Sequence, residues 1–219
     1  MKSYLTEVIG TFFLVLTIGL TVLDGTAFAP LAIGSILMIM VYMGGHISGG
    51  HYNPAVSLAV FMRGKLEARE LLPYWVSQIV GAFLGAVAVY LILGKTFAPT
   101  PAAGATPFAV LLVEFLFTFA LALVVLNSAT ASATAGNSYF GLAIGFTVMV
   151  GAFAGGPVSG GAFNPAVGIG PTLMNAIVGD GSWGALWYYL VGPLAGGAVA
   201  AFVFKIQNPG DNSSQSGMG

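Results

Sequence analysis

Two copies of the tripeptide Asn-Pro-Ala carry the side chains of this sequence that are best suited to binding another molecule. They are Asn53-Pro54-Ala55 and Asn164-Pro165-Ala166, each followed by a valine. An asparagine oxygen at a helix start can accept a hydrogen bond from a backbone N–H, and proline suits the first helical position. Each copy therefore predicts the start of a short helix, with the asparagine NH₂ left free to donate outward.

The residues before each motif predict a stretch of accessible backbone. Ser48-Gly49-Gly50-His51 and Ser159-Gly160-Gly161-Ala162 each contain two glycines in a row, which permits an extended backbone whose carbonyls face a lumen. The candidate acceptors are the carbonyls of Gly49, Gly50, His51, Gly160, Gly161 and Ala162. Most Asn-Pro pairs are ordinary turns at helix starts, and that simpler alternative would be favoured if the motif occurred once.

The two motifs belong to an internal duplication. They lie 111 residues apart, and the tetrapeptide Leu-Ala-Ile-Gly at 31–34 returns at 142–145 with the same offset. Two matches in one ungapped register indicate a repeat rather than chance. We expect one membrane domain over residues 1–219, with halves at about 1–94 and 107–206, a linker at 95–106 and a polar tail at 207–219.

Composition excludes several classes of protein. The chain is 57% hydrophobic and 6% charged, against roughly 25% charged in an ordinary soluble domain, and its mean hydropathy is +0.93. These values predict an integral membrane protein. The absence of cysteine excludes disulfides, thiolate metal sites and thiol catalysis. A net charge of −1 argues against binding of nucleic acid, and we predict neither a metal nor a cofactor.

Six apolar stretches are candidate membrane spans, since the charged residues fall almost entirely at their ends. They cover residues 3–23, 30–45, 71–93, 107–127, 139–155 and 183–204. A span needs about 20 residues, so the second and fifth should extend past these bounds. The first is interpreted as a retained helix, because no clean signal-peptide cleavage site follows it.

The Asn-Pro-Ala strings are apolar enough to stay at membrane depth but too rich in glycine and proline to begin a full span. Non-helical backbone at that depth is tolerated only inside protein or along a watery cavity. We expect two re-entrant half-helices, the first ending near Met62 with Gly64 as its stop. The predicted fold is an all-α membrane protein with six transmembrane helices and two re-entrant half-helices in an inverted repeat.

The positive charges predict the orientation. With the N-terminus inside, five cations are cytoplasmic and one, Lys95, is outside; the five are Lys2, Arg63, Lys65, Arg69 and Lys205. We therefore expect a multi-pass protein of the cell membrane with both termini in the cytoplasm. Residues 208–219 are expected to form a short, polar, disordered tail.

The sequence resembles the aquaporin, or major intrinsic protein, family over nearly its whole length. Gly-His-Ile-Ser-Gly-Gly-His-Tyr-Asn-Pro-Ala-Val at 45–56 is close to the first signature of that family, and the run at 187–196 and the glutamates Glu7 and Glu114 match it too. The resemblance implies a passive channel in the lipid bilayer. It also implies a homotetramer in which each subunit has its own pore.

Glu7 and Glu114 could suggest acid–base catalysis by paired carboxylates. They are nearly equivalent by the repeat and should lie apart, so we expect each to hold the backbone amides of one re-entrant loop. His46 and His51 are interpreted as hydrogen-bonded supports of the first loop, with pH gating as the alternative. No catalytic residue is predicted.

The sequence departs from the family at the outer selectivity filter. Most members have an arginine directly after the second Asn-Pro-Ala, where this chain has Val167, and no arginine follows Arg69. Transfer of the other filter positions by counting back from each asparagine gives Ile33, Ala152 and Gly161. These four residues predict a wide, apolar, uncharged filter. Lys95 is the one cation that could be placed at the mouth.

The expected function is passive passage of water and small neutral solutes such as glycerol, urea, ammonia or undissociated metalloid acids, because aperture decides what enters a pore. A strict water channel is the alternative. An ion-coupled secondary transporter also uses inverted repeats, but it would need an intramembrane charge beyond Glu7 and Glu114. A structural membrane protein and an intramembrane enzyme are disfavoured, since the pore motifs are intact and no nucleophile–base pair is present.

Overall fold

The computed structural model describes residues 1–179 and 181–211, and these residues are helical for most of their length. The helices are α1 (Lys2–Asp24), α2 (Ala29–Ser48), α3 (Pro54–Arg63), α4 (Ala68–Leu93), α5 (Pro107–Val125), α6 (Phe140–Ser159), α7 (Pro165–Val178) and α8 (Leu186–Gln207). A π-helical turn (Leu126–Thr130) extends α5, and a 3₁₀ turn (Ser132–Thr134) follows it.

Six of these helices are long and apolar enough to cross a membrane, and α3 and α7 are shorter. The predicted fold class, an all-α membrane protein with six spans and two half-helices, is confirmed. The second and fifth spans extend to 20 residues each, as expected from the length that a bilayer requires.

Both half-helices begin where the sequence predicts, and the first also ends close to its predicted end. Asn53 and Asn164 are the N-caps of α3 and α7, and a proline occupies the first position of each helix. The first half-helix ends at Arg63, one residue past the predicted end, and Gly64 follows in the left-handed conformation with φ of 85°. Glycine adopts that conformation without steric cost, which explains the stop.

The helices of the two halves pair in equivalent ways. α1 packs along α4 as α5 packs along α8, and α2 crosses α6. At that crossing, a Cβ on Gly34 would lie 2.6 Å from the carbonyl oxygen of Gly145, and one on Gly145 would lie 2.5 Å from that of Gly34. Small residues let apolar helices approach this closely. Each half-helix packs on the last long helix of the other half, α3 on α8 and α7 on α4.

The chain after α8 corrects one prediction. Composition predicts disorder for residues 208–219, but Asn208 donates to the side-chain oxygen of Asn127 over 3.1 Å, and Asp211 accepts hydrogen bonds from the backbone N–H and hydroxyl of Ser132. Asp211 also pairs with Arg63 at 2.9 Å. Composition marks this segment as polar but does not show that it has a partner. Residues 212–219 lie outside the described part of the chain.

Candidate pore and its lining

The two asparagines cap their half-helices and also bind the opposite loop. Each Oδ1 accepts from the backbone N–H two residues on, over 2.9 Å. The Nδ2 of Asn53 donates to the carbonyl of Phe163, and the Nδ2 of Asn164 donates to the carbonyl of Tyr52, both over 2.9 Å. The prediction of a free NH₂ is therefore wrong for one of its two hydrogens. One N–H of each amide remains for another acceptor.

The residues just before the asparagines adopt an unusual backbone conformation. Tyr52 and Phe163 have φ of 50° and 49°, in the left-handed region that bulky residues rarely occupy. Such strain persists when surrounding contacts over-determine it. Here each residue is held at both polar groups of its backbone, because its N–H binds a buried glutamate and its carbonyl binds the opposite asparagine.

Glu7 holds the first loop. Its Oε1 accepts from the hydroxyl of Ser48 over 2.7 Å and from the N–H of His51 over 3.0 Å. Its Oε2 accepts from the N–H of Tyr52 over 2.6 Å and from the amide of Gln78 over 2.8 Å. The side chain is fully buried, so these four donors replace the water that the carboxylate would otherwise bind.

Glu114 makes the same contacts with the second loop. It accepts from the hydroxyl of Ser159 over 2.7 Å and from the backbone N–H groups of Ala162 and Phe163 over 3.0 and 2.7 Å. The tyrosines Tyr74 and Tyr189 also make equivalent bonds, since their hydroxyls donate to the carbonyls of Ser48 and Ser159 over 2.8 and 2.6 Å. Each carboxylate thus serves its own loop, which is the arrangement of two supports and not of a catalytic pair.

The two histidines differ in their surroundings. The Nδ1 of His51 lies 3.1 Å from the hydroxyl of Ser57, and the ring is buried at the side of the lumen. The sequence predicts that His46 supports the loop, but its side chain is exposed on a cavity wall, and it makes no side-chain hydrogen bond among the described residues. The prediction for His46 is therefore not supported by its contacts.

A cavity of about 390 Å³ runs from the connection between the halves to the asparagine pair. We call the side of this connection the linker side. The opposite side, where α1 begins and α8 ends, is called the terminal side. The four positions transferred from the family's filter all line this one cavity: Ile33, Ala152, Gly161 and Val167. None of these side chains carries an N–H or O–H group, and their neighbours on α1, α2 and α6 are apolar as well.

The polar groups of the cavity lie mainly on the two motif loops. Five of the six candidate carbonyl residues line it, namely Gly50, His51, Gly160, Gly161 and Ala162. Gly49 lines a second cavity of about 600 Å³ on the terminal side, and His51 lines both. His51 therefore lies where the two cavities approach each other.

The linker contributes residues that sequence reasoning did not assign to the lining. Phe97, Ala98, Pro99 and Thr100 form part of the cavity wall, whereas Lys95 is exposed outside it. The linker has no helical or strand periodicity, so no pattern in it indicates which residues approach the lumen. No cation takes the place of the missing arginine among the residues that line the cavity.

This arrangement defines a class of membrane channel in which two half-helices meet inside a bundle of six spans. The model of the family described as major intrinsic protein matches residues 1–204. The chain is 34% identical to aquaporin NIP1-4 of Oryza sativa subsp. japonica over 215 residues, which cover 94% of this chain and 77% of that protein. It is also 34% identical to the glycerol uptake facilitator protein-like 6 of Lactiplantibacillus plantarum, with 96% and 100% covered.

The solved structures agree on the fold. The X-ray structure of the aquaglyceroporin from Plasmodium falciparum superposes with a TM-score of 0.84 at 23% identity, over 95% of this chain and 97% of that one. The chain belongs to the major intrinsic protein family. It is a multi-pass membrane channel for water and small neutral solutes, and it is not an enzyme.

Proposed function

We propose that this channel passes, besides water, small neutral solutes such as glycerol, urea, ammonia and undissociated arsenous or boric acid. The observation that carries the proposal is the set of four filter positions, Ile33, Ala152, Gly161 and Val167, which line one cavity without a charge or a side-chain donor. An arginine with a large aromatic partner would fill much of that space. Relatives named as a glycerol uptake facilitator and an aquaglyceroporin support the choice of solutes.

The two walls of the cavity suit solutes with one polar and one apolar side. Carbonyls of the loops at Gly50, Gly160 and Gly161 accept hydrogen bonds from hydroxyl or amide groups of the solute. The remaining N–H of Asn53 and of Asn164 donates to it. The carbon side of the solute contacts the apolar helices. A neutral solute that exchanges water for these groups has no desolvation cost comparable to that of an ion.

Cations are excluded by two effects at the asparagine pair. Each half-helix presents its N-terminus, equivalent to roughly +0.5 charge, to the centre of the pore. At about 4 Å and an effective dielectric constant of about 20, each end repels a monovalent cation by roughly 2 kcal/mol. Loss of hydration adds several kcal/mol, so ion exclusion does not require the arginine.

The assembly and orientation are proposals of the same kind. We infer a homotetramer of single-domain subunits with one pore each, placed in the cell membrane with both termini in the cytoplasm. The family supports the assembly, and the five cations of the terminal side against Lys95 on the linker side support the orientation.

Stopped-flow measurements on proteoliposomes test the proposal with water, glycerol, urea and arsenous acid. We expect the flux of all four to exceed that of empty liposomes. The flux should rise with solute concentration without saturating, and it should not depend on pH or Na⁺ gradients. Protein that conducts water and excludes the other three would be a strict water channel, and the wide-filter proposal would then be wrong. Saturable flux driven by an ion gradient would indicate a transporter.

A further inference from the structure

The linker between the two halves is fastened to both sides of the cavity mouth. The hydroxyl of Thr96 donates to the side-chain oxygen of Asn175 on α7 over 2.6 Å. The N–H of Ala102 donates to the carbonyl of Val158 at the end of α6 over 3.0 Å. Between these points, the partly buried ring of Phe97 packs against the core. The segment 97–100 is therefore held in a fixed place against the lumen.

Thr100 lies directly against the second motif loop. Gly160 has φ of 90°, and a Cβ there would be 2.7 Å from the backbone N of Thr100 and 2.8 Å from its carbonyl oxygen. The absence of a side chain at Gly160 thus allows the linker backbone to reach this point. The next residue, Gly161, is one of the four filter positions.

The side chain of Thr100 differs chemically from the rest of the wall around it. The lining residues with polar side chains are His51, Tyr52, Asn53, Thr100 and Asn164, and all except Thr100 belong to the motif loops. The hydroxyl of Thr100 donates to the carbonyl of Ala98 over 3.2 Å, and the residue is exposed. Its oxygen still has lone pairs, and the hydroxyl can rotate to donate to a solute instead.

We propose that Thr100 is a specificity-determining residue of this channel, since it supplies the side-chain hydrogen bond that the four filter positions lack. A neutral hydroxyl can both donate to and accept from a solute, whereas an arginine only donates and adds a charge. The ligands that fit are neutral molecules with both donors and acceptors, namely polyols and amides such as glycerol and urea. This inference rests on the proposed function.

Two substitutions separate the hydroxyl from the shape of the side chain. Thr100→Val keeps the shape and removes the hydroxyl, and Thr100→Ser keeps the hydroxyl in a smaller side chain. Loss of one neutral hydrogen bond should lower glycerol permeability about fivefold in the valine variant. Water permeability should fall less, because a water molecule in a wide filter keeps other water molecules as partners. The serine variant should retain the glycerol-to-water ratio of the parent within about twofold.

The absence of native cysteine allows a second test that does not depend on hydrogen bonding. Thr100→Cys places a single thiol at the proposed position, and Lys95→Cys places one on the same linker outside the cavity. Mercuric chloride should block glycerol flux through the first variant. It should label the second variant without lowering its flux.

The outcomes distinguish this inference from the proposed function. If the parent conducts glycerol and the valine and serine variants share its glycerol-to-water ratio, Thr100 is not a specificity residue, although the wide-filter proposal stands. A thiol in the Thr100→Cys variant that is unreactive, or that reacts without loss of flux, also overturns the inference. A parent that conducts water but no glycerol overturns the proposed function itself.

Discussion

The side-chain amide of Asn53 donates a hydrogen bond to the backbone carbonyl of Phe163, 2.9 Å away, and so joins the first half of the chain to the second. The second half makes the equivalent bond to the first, since the side-chain amide of Asn164 donates to the backbone carbonyl of Tyr52. Each asparagine thus has three tasks: its oxygen caps a half-helix, one N–H fixes the opposite loop, and the other N–H can reach the lumen. Since the two bonds form a reciprocal pair, loss of one asparagine affects both loops.

Asn53→Asp and Asn164→Asp should each make the pore leak cations and weaken the fold. A carboxylate attracts cations to the place where two half-helix ends otherwise repel them. It also sets an acceptor against the opposite carbonyl, and an unsatisfied buried group costs about 1–3 kcal/mol. Cation conductance of proteoliposomes and thermal unfolding in detergent measure the two effects.

The control for this prediction is Asn→Ala at the same positions, which removes the amide without adding charge. It should destabilise the protein without raising cation conductance as far as aspartate does. Aspartate variants that fold and remain as ion-tight as the parent would contradict the account of exclusion by half-helix ends and amide donors.

Replacement of the buried glutamates should destabilise the protein to different extents, according to the number of hydrogen bonds that each carboxylate accepts. Glu7→Gln and Glu114→Gln each put an NH₂ group where the carboxylate accepts from backbone N–H groups. Each mismatched donor should cost about 1–3 kcal/mol in free energy of unfolding. Glu7 has four donor partners and Glu114 has three, so we expect the larger loss at Glu7.

Thermal unfolding of the two variants beside the parent checks this order. A matched control is Glu67→Gln, because Glu67 lies at an exposed helix start and pairs only with exposed Arg69 among the described residues. That variant should unfold at nearly the same temperature as the parent, since exposed ion pairs contribute little. Equal stability of Glu7→Gln and the parent would show that the loop does not depend on the carboxylate.

The local parts of this fold could be predicted from sequence because their causes are local. Asn-Pro at 53–54 and 164–165 specifies helix starts through capping and a fixed proline φ, and Gly64 specifies a stop. The apolar lengths of the spans follow from the thickness of a bilayer. The four positions transferred from the family resemblance, by counting back from each asparagine, line one cavity, and their role as a filter stays a prediction.

The contacts that could not be predicted join residues far apart without a periodic signal. The bond from Asn53 to Phe163 spans 110 residues, and sequence could show that the amide is polar but not which acceptor it meets. Thr100 belongs to an irregular linker, and its approach to Gly160 depends on the hydrogen bonds that hold this linker to α7 and α6. Asp211 belongs to a polar segment for which composition predicts disorder. The buried charge of Arg63 gives it a partner that composition does not show.

The ion pair on the terminal side should stabilise the protein at neutral pH. The guanidinium of Arg63 is almost fully buried and binds Asp211 as well as Thr130. Hydrogen bonds from Ser132, followed by the charge of Arg63, hold the pKa of Asp211 below its ordinary value. A lowered folded-state pKa means that the stabilisation is present above the ordinary pKa of Asp and is lost as pH falls through the lowered value.

Asp211→Asn should therefore lower the unfolding temperature at neutral pH, and its difference from the parent should shrink below about pH 4. Asp24→Asn is the matched control, because Asp24 is exposed at the end of α1 and belongs to none of the described ion pairs. The unfolding temperature of that control should stay close to that of the parent at either pH. If the unfolding temperatures of Asp211→Asn and the parent differ by the same amount at neutral pH and well below the ordinary pKa of Asp, the role of Asp211 does not depend on its charge.

Val167→Arg should convert the wide filter into a narrower and more polar one. Val167 lines the cavity beside Gly161, and an arginine there adds bulk, a positive charge and five N–H donors. Glycerol and urea flux should fall more than water flux, because water needs less width and gains hydrogen-bond partners. We expect the glycerol-to-water permeability ratio to drop about tenfold or more, which corresponds to about 1.4 kcal/mol of added barrier.

Bulk and charge can be separated at this one position. Val167→Leu adds volume without a donor or a charge, so it should narrow the pore but give water no new partner. If narrowing alone sets selectivity, the leucine variant will lower the glycerol-to-water ratio, and water flux will fall with it. If the donors also matter, arginine will preserve water flux better than leucine does. A ratio that is the same in the parent and in Val167→Arg would mean that the narrowest point lies away from Val167, and the wide-filter account of solute choice would then fail.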